Sequence, residues 1–395
     1  MNAPTELASP AVAERPATET IDVSVVIPCL NEAEGVGVCV EKAIKAFEKM
    51  GVVGEVVVSD NGSTDGSPEI AEAAGARVVH ESRPGYGSAY LAGFAAAKGN
   101  YIVMGDADDT YDFSKIDEFV ALLDEGNEMV IGNRMGNIQP GAMPWLHQYV
   151  GNPILTRVLN IFFRSGVKDA HCGMRAFRRD ALDRLKLRTP GMEFASEMVL
   201  RSSKAGLKVA EIDIDYHPRI GDSKLNTFSD GWRHLRFLLI HSPTHLFIAP
   251  GIILAALGAL MMLVVLTGFD LFGRSWDLHA MTAGAFTTII GSQIISLGLS
   301  AKAYGVYHLG EEDALHDRFD GRIRLEHGLL AGLLIAFIGA IITLVIVISW
   351  IQHDLGSLND QSLLVFSMTL VVLGMQVIFT SFFMSIVGMH GRDGR

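Results

Sequence analysis

A chain of 395 residues, 49% of them apolar, is long enough for two or three domains, and 44 acidic against 32 basic residues give it a formal charge of -12. That balance argues against nucleic acid as the main partner. Cys29, Cys39 and Cys172 are odd in number and lack C-x-x-C spacing, so they indicate neither a disulfide framework nor a zinc site and read as reduced thiols facing the cytoplasm.

Met1 to Thr20 is rich in Ala, Pro, Thr and Glu, without a basic stretch followed by an apolar one. It is expected to be a disordered tail, not a cleaved export signal. From Val23 to Pro28 the chain reads as a buried strand, and Glu34 to Met50 has helical apolar spacing. Glu55 to Asp60 repeats the strand pattern, followed by the turn Asn61-Gly62-Ser63-Thr64-Asp65-Gly66 and a short helix to Ala74. Arg77 to His80 is a third strand, Gly87 to Lys98 a helix, and Tyr101 to Gly105 a fourth strand. This alternation predicts a parallel sheet with helices on both faces. Lys115 to Leu123 continues as helix, Glu128 to Gly132 as strand, and Asn133 to Pro144 as a mobile Gly/Pro/Asn loop. Leu155 to Phe163 is amphipathic, Phe194 to Ala205 is a helix with Glu193, Glu197 and Arg201 at i, i+4 spacing, and Lys208 to Tyr216 is a late strand.

The fourth strand turns abruptly from apolar to acidic at Asp106-Ala107-Asp108. Carboxyl ends of strands in open α/β sheets are where ligands bind. Two carboxylates one residue apart can share a hard divalent cation, which would in turn hold the diphosphate of a nucleotide. A polar turn capping the next helix is the alternative.

Composition changes after about Ser242. Leu246 to Phe269, Ala280 to Ala301, Gly328 to Trp350 and Leu363 to Gly388 contain no Asp, Glu, Lys or Arg, and each exceeds the roughly 20 residues that span hydrocarbon as a helix. The expected organisation is a tail at 1–20, an α/β domain at 21–243 and a membrane domain at 244–395 with spans near 246–269, 280–301, 328–350 and 363–388. Lys302, Arg318, Arg322 and Arg324 lie between the second and third spans, against Arg274 alone between the first two. The positive-inside rule therefore puts that loop, both termini and the α/β domain in the cytoplasm, at an inner or plasma membrane. Arg219, Lys224, Arg233 and Arg236 precede the first span, where they suit anionic headgroups or an anionic lipid substrate.

Pro28-Cys29-Leu30-Asn31-Glu32, Asp60-Asn61-Gly62-Ser63-Thr64-Asp65 and Asp106-Ala107-Asp108 all follow strands and share one sheet edge. With Gly132-Asn133-Arg134, Asp169 to Phe177, Phe194-Ala195-Ser196-Glu197-Met198 and Gly221-Asp222-Ser223-Lys224-Leu225, in this order, the chain from Ile21 to Pro243 resembles the family 2 glycosyltransferases with the GT-A fold. Within that family it is most similar to the polyprenyl-phosphate group, the dolichyl-phosphate mannose and glucose synthases. The resemblance implies inverting transfer of a hexose from a nucleotide sugar, UDP-glucose or GDP-mannose, to polyprenyl phosphate, giving a lipid-linked monosaccharide. It assigns Pro28, Asn31, Glu32, Asp60 and Asp106 to the nucleotide, Asp106 and Asp108 to Mg²⁺ or Mn²⁺, and Arg134, Arg219, Ser223 and Lys224 to the acceptor phosphate. Asp108 and Glu197 become the catalytic candidates, Glu197 as a base or as an orienting group, with a plain ion pair to Arg201 as the alternative.

The chain departs from the family's pattern at Thr110, where some relatives have a further ligand, which predicts water or a more open site. It departs again at Gln148, where the group often has Arg, leaving His147, Arg157, Arg219 and Lys224 to compensate. A processive polysaccharide synthase is the runner-up, but no tryptophan here follows an Arg as that group's Gln-x-x-Arg-Trp signature requires. A non-catalytic membrane subunit handling lipid-linked sugars is the third reading. The lipid bilayer is the expected surrounding partner, and a homo-oligomer is compatible with all three.

Overall fold

The computed structural model describes residues 21–221, 227–270, 276–309, 325–353, 355 and 360–389. The tail at 1–20 and the assignments to Ser223 and Lys224 lie outside these residues. The chain divides into two compact units between Phe237 and Leu238.

The first unit is built on one sheet of seven strands, β1 (Val23–Cys29), β2 (Gly54–Asp60), β3 (Arg77–His80), β4 (Tyr101–Met104), β5 (Met129–Asn133), β6 (Arg175–Arg178) and β7 (Val209–Asp213), in the order β3-β2-β1-β4-β6-β5-β7. All neighbours pair in parallel except β6, which runs antiparallel to both β4 and β5. Val23, Val25, Val26 and Ile27 of β1 are wholly buried, as a central strand covered on both faces requires. Helices α1 (Val36–Met50), α2 (Ser67–Ala73), α3 (Tyr86–Ala96), α4 (Ile116–Asp124), α5 (Asn152–Phe163), α6 (Arg179–Leu185) and α7 (Phe194–Lys204) alternate with the strands, and α8 (Thr227–Ile240) leads into the second unit. α1 buries Val36, Cys39, Val40, Ala43 and Phe47 on one face and stops at Gly51, whose φ of 66° supplies the left-handed cap.

The antiparallel β6 departs from the alternating pattern read in the sequence. β6 is only four residues long and has Arg at both ends, so it carries no apolar run to announce it; its neighbours bury it. Arg175 at its start is 0% exposed and donates to the carbonyl oxygens of Cys172 (2.9 Å), Ala170 (2.8 Å) and Ala195 (2.9 Å). A buried guanidinium thus ties the 170–174 turn to α7.

The second unit holds α9 (Ala249–Thr267), α10 (Leu278–Leu309), α11 (Leu325–Gln352) and α12 (Gln361–Met389). Segments Thr244–Thr267, Leu278–Val306, Leu325–Gln352 and Gln361–Val387 are long and apolar enough to cross a membrane. α9 packs on α10, α11 on α12, and α10 on α12.

Because Arg175 answers carbonyls of three buried residues, Arg175→Met is expected to cost the first unit about 2–4 kcal/mol. A lower denaturant midpoint, with helix and strand content kept in the absence of denaturant, is the expected result; an unchanged midpoint would show that the turn and α7 do not need the link.

Candidate active site

Three turns meet at the carboxyl ends of β1, β2 and β4. Cys29 pairs in register with Asp60 and Val26 with Met104, so the turns that follow are neighbours by construction. Asn31 adopts a φ of 53°, which Asn tolerates better than other residues with a Cβ. Its backbone N–H donates to Ser63 Oγ at 2.8 Å, and its Oδ1 accepts from Thr64 N at 2.7 Å. Glu32 N donates to Ser67 Oγ at 2.9 Å. Asp60 is buried, and its carboxylate accepts from the backbone N–H groups of Ser63 (3.1 Å) and Gly62 (3.2 Å) and lies 3.2 Å from His80 Nδ1. Burial alone would raise its pKa, but these donors outweigh it and hold the carboxyl below its usual range. Asp60 therefore builds the turn as well as lining the edge.

The acidic turn after β4 is held on every side. Gly35, ahead of α1, packs so close that an added Cβ would lie 2.4 Å from the carbonyl oxygen of Ala107. Asp109 adopts a φ of 57° and is anchored by Lys42 at 2.7 Å. Asp106 Oδ1 accepts from the phenols of Tyr86 (2.9 Å) and Tyr90 (3.3 Å). Asp108 Oδ1 accepts from Thr110 Oγ1 at 2.6 Å and from its N–H at 3.2 Å. Thr110 thus fixes one oxygen of Asp108. The other oxygen lies 3.6 Å from Arg219 Nη1, and Arg219 Nη2 reaches Glu32 Oε1 at 3.2 Å. The Ile220 N–H donates to the Asp108 carbonyl at 2.9 Å, latching that segment to the turn.

Burial, reinforced by the neighbouring Asp108 charge, pushes the Asp106 carboxyl well above the usual range, against the Tyr86 and Tyr90 donors. A buried carboxyl beside a second carboxylate is a donor set that a divalent cation would satisfy. Among the described residues no group of three or more His, Cys, Asp or Glu side chains could hold a metal. The pair fits a hard cation that completes its shell with phosphate oxygens and water, not an all-protein cage.

Arg134 and Glu197 are both buried and paired within the fold. Arg134 is 5% exposed; its Nε and Nη2 bond to the two oxygens of Asp169 at 2.7 and 2.9 Å, and Nη1 meets Tyr111 Oη at 3.3 Å. Its guanidinium lies 5.1 Å from the centre of the Tyr216 ring. The charge is answered inside the fold, by the Asp169 carboxylate and the Tyr111 hydroxyl. Glu197 is 2% exposed and accepts from Arg188 N (3.0 Å), Thr189 N (2.8 Å), Thr189 Oγ1 (2.6 Å) and Arg201 Nε (2.6 Å). Burial opposes ionisation, but these donors prevail and depress its pKa, the reverse of what a base near neutral pH needs. The loop it holds abuts α3. Added Cβ atoms at Gly85 and Gly87 would lie 2.2 Å from Pro190 O and 2.1 Å from Thr189 O, and Ser88 N donates to Pro190 O at 3.2 Å. Glu197 thus reaches Asp106 indirectly, through the loop, the start of α3 and Tyr86.

Tyr86, Tyr90, Thr110, Tyr111 and Asp169 were not given these roles by sequence reasoning. The first two carry a legible signal, since tyrosines at i and i+4 share one helix face. Asp169 lay inside a quoted stretch, but its pairing with Arg134 is long-range. Gln148 lies in the π-helical turn His147–Gly151, just before α5.

Residues 24–186 match the family model described as Glycosyl transferase family 2, and residues 299–388 match that of the glycosyltransferase family 2 C-terminal transmembrane region. The chain is 39% identical over 368 residues to a low-salt glycan biosynthesis hexosyltransferase of Haloferax volcanii, covering 93% of this chain and 89% of that one. It is 32% identical over 212 residues to a dolichyl-phosphate hexose transferase of the same organism, covering 53% of this chain and 89% of the relative. Among solved structures it is similar to glucosyl-3-phosphoglycerate synthase from Mycobacterium tuberculosis in complex with Mn²⁺, uridine diphosphate and glucosyl-3-phosphoglycerate, at 23% identity and a TM-score of 0.45, over 56% of this chain and 80% of that one.

Removing one partner of the buried pair is expected to cost more than removing both. Asp169→Asn, which strands the Arg134 charge, should destabilise by about 3–5 kcal/mol, and Arg134→Met with Asp169→Leu by clearly less. Although burial opposes it, Arg134 holds the Asp169 carboxyl below its ordinary value. The pair's contribution is therefore complete above the unfolded pKa of about 4 and is lost as pH falls through the lower folded value. Denaturant midpoints between pH 3 and 7 check both points, the acid-side loss attributable to this pair being absent from the double variant.

Proposed function

The chain belongs to glycosyl transferase family 2, and on that premise we propose that it transfers a hexose, with inversion, from a nucleotide sugar to polyprenyl phosphate in the membrane that its four spans cross. The carrying observation is the Asp106 and Asp108 pair at the strand ends, pinned by Tyr86, Tyr90 and Thr110 and faced by Arg219. The named activity of the dolichyl-phosphate relative supports the acceptor class. Exposed Tyr149, Ile154, Ile161 and Trp232 in the first unit also suit contact with a bilayer. UDP-glucose and GDP-mannose are the donors to try first. The positive-inside reading places the α/β unit and both termini in the cytoplasm, where nucleotide sugars are available.

In this proposal Pro28, Asn31, Glu32 and Asp60 line the nucleotide, and Asp106 and Asp108 hold Mg²⁺ or Mn²⁺. Such an ion supplies Lewis-acid charge for the diphosphate. An oxygen of the acceptor phosphate attacks the anomeric carbon, the bond from that carbon to the diphosphate oxygen breaks, and nucleoside diphosphate leaves. Arg219, between Glu32 and Asp108, is the cation placed to offset the negative charge of two phosphate groups brought together. The acceptor is a phosphate monoester with a second pKa of about 6, so at neutral pH it is largely dianionic and needs no protein base. Glu197 then acts as a strut, holding the Thr189 and Pro190 loop against α3.

Incubation of purified protein with labelled nucleotide sugars and polyprenyl phosphate, followed by lipid extraction, tests the reading directly. Label should enter the lipid only with Mg²⁺ or Mn²⁺, and Asp108→Ala should abolish nearly all transfer while keeping the fold; full activity in excess chelator would refute the metal assignment.

The role of Glu197 is separable by pH. Glu197→Gln keeps the side chain's size, and its rate should still fall below about pH 6 as the wild type's does, because that limb belongs to the acceptor. A general base typically supplies about 10² to 10⁴-fold. Loss of a thousandfold or more in an intact variant, with the acid limb gone, would restore Glu197 as the base.

A further inference from the structure

The two hairpins of the membrane unit, α9 with α10 and α11 with α12, repeat one another at the positions where their helices touch. Gly251, Ala255 and Gly258 on α9 correspond at one constant shift to Gly332, Ala336 and Gly339 on α11. Gly284, Gly291, Gln293 and Ile295 on α10 correspond, again at one shift, to Ser367, Gly374, Gln376 and Ile378 on α12. The contacts repeat with the residues. An added Cβ at Gly251 would lie 2.9 Å from Gly291 O and 3.0 Å from Ile295 N; at Gly332 it would lie 2.7 Å from Gly374 O and 3.0 Å from Ile378 N. At Gly258 it would lie 2.5 Å from both Gly284 O and Thr288 N; at Gly339, 2.5 Å from Ser367 O and 2.9 Å from Val371 N. From the facing helices, Gly291 would meet Ala255 N at 2.3 Å and Gly374 would meet Ala336 N at 2.5 Å.

Small residues that let backbones approach are a common way to pack membrane helices, and they account for each hairpin taken singly. They do not account for what happens between the hairpins. There α10 packs on α12, and two chain reversals separate these helices, so they cross in the same direction. The counterparts Gln293 and Gln376, each near the middle of its helix, meet directly, with Gln376 Nε2 donating to Gln293 Oε1 at 3.2 Å. A residue meeting its own counterpart is the mark of a contact about a twofold axis. Repeats that cross in the same direction are related by an axis along the membrane normal. Gln376 Oε1 is buried and receives no hydrogen bond, which is costly in hydrocarbon. Twofold symmetry names the missing donor, Nε2 of Gln293.

We propose that the membrane unit is a fused dimer of one hairpin, its second hairpin supplying the surface that a single hairpin would have to find on a second copy of itself. Gln293 and Gln376 are its clasp at the axis, each amide donating to the other's oxygen. The test uses the full chain in lipid nanodiscs. Gln293→Leu and Gln376→Leu should each speed unfolding in SDS by roughly threefold to tenfold. The double variant should unfold no faster than the worse single one, because a lone amide in hydrocarbon is the costly state. Single variants at the wild-type rate, or effects that multiply in the double, would overturn the clasp. A measurement that does not depend on stability is a short bis-maleimide on Gln293→Cys with Gln376→Cys, read by intact mass. One reagent bridging both thiols within a chain is expected; bridges between chains, or two separate adducts, would refute the pairing.

Discussion

Asp106 and Asp108 repel each other at the end of a buried strand, and the first unit is arranged to make that pairing tolerable. Each carboxylate has one oxygen committed to hydroxyl donors, Tyr86 and Tyr90 for Asp106 and Thr110 for Asp108. Every one of those donors is uncharged, so the local negative charge is oriented without being neutralised. Lys42 neutralises Asp109 instead, just outside the pair, and its bond fixes the left-handed turn. Arg219 is an opposing charge beside Asp108, at a distance looser than a hydrogen bond. A site meant to take up a cation needs this combination: geometry fixed in advance, and charge left to be answered by what binds.

Other buried charges serve the opposite purpose, being answered completely within the fold. Arg134 with Asp169, Arg175 with three carbonyls, and Glu197 with the 188–189 loop and Arg201 each close a network at a place where the chain leaves regular structure. Desolvating such groups is expensive, and replacing them by apolar ones is often neutral for stability, so their use here fixes position. Two of the networks bear on the acidic turn: Arg134 through Tyr111, whose hydroxyl also accepts from Gly173 N at 2.7 Å, and Glu197 through the start of α3.

Much of this was legible in the sequence, for reasons that also mark where legibility ended. Runs such as Val23 to Pro28 announce themselves because a central strand is buried on both faces, and the strand-end motifs follow from that placement. β6 was not legible, because four residues with Arg at each end have no pattern of their own and become a strand only between β4 and β5. Arg134 and Glu197 were read as site residues, but the partners that answer them, Asp169 for Arg134 and the 188–189 loop for Glu197, are set by the fold and not by the motifs. A charged side chain in a quoted motif looks the same whether it faces a ligand or a buried counter-ion. The repeat of the two hairpins was visible in the letters but hidden by composition, since any two apolar spans look alike until their glycines are aligned.

That last point bears on how the membrane half is specified. In water a helix pair is selected by which faces are apolar, but in hydrocarbon every face is apolar and selection must come from close packing and from polar groups. The close packing is present twice, at Gly251, Gly258 and Gly291 and again at Gly332, Gly339 and Gly374, so it defines each hairpin without defining how the hairpins join. An added polar contact in the second hairpin, Thr343 with Ser367 at 2.8 Å, lies within that hairpin and cannot join them either. The hydrogen bond between Gln293 and Gln376 does run from α10 to α12. Its place at matching positions of the two hairpins gives register as well as attraction: sliding one helix past the other by a single residue would turn the amides apart and leave both in hydrocarbon. The membrane half thus follows the same rule as the acidic turn, with general packing bringing elements together and a few polar groups selecting one arrangement.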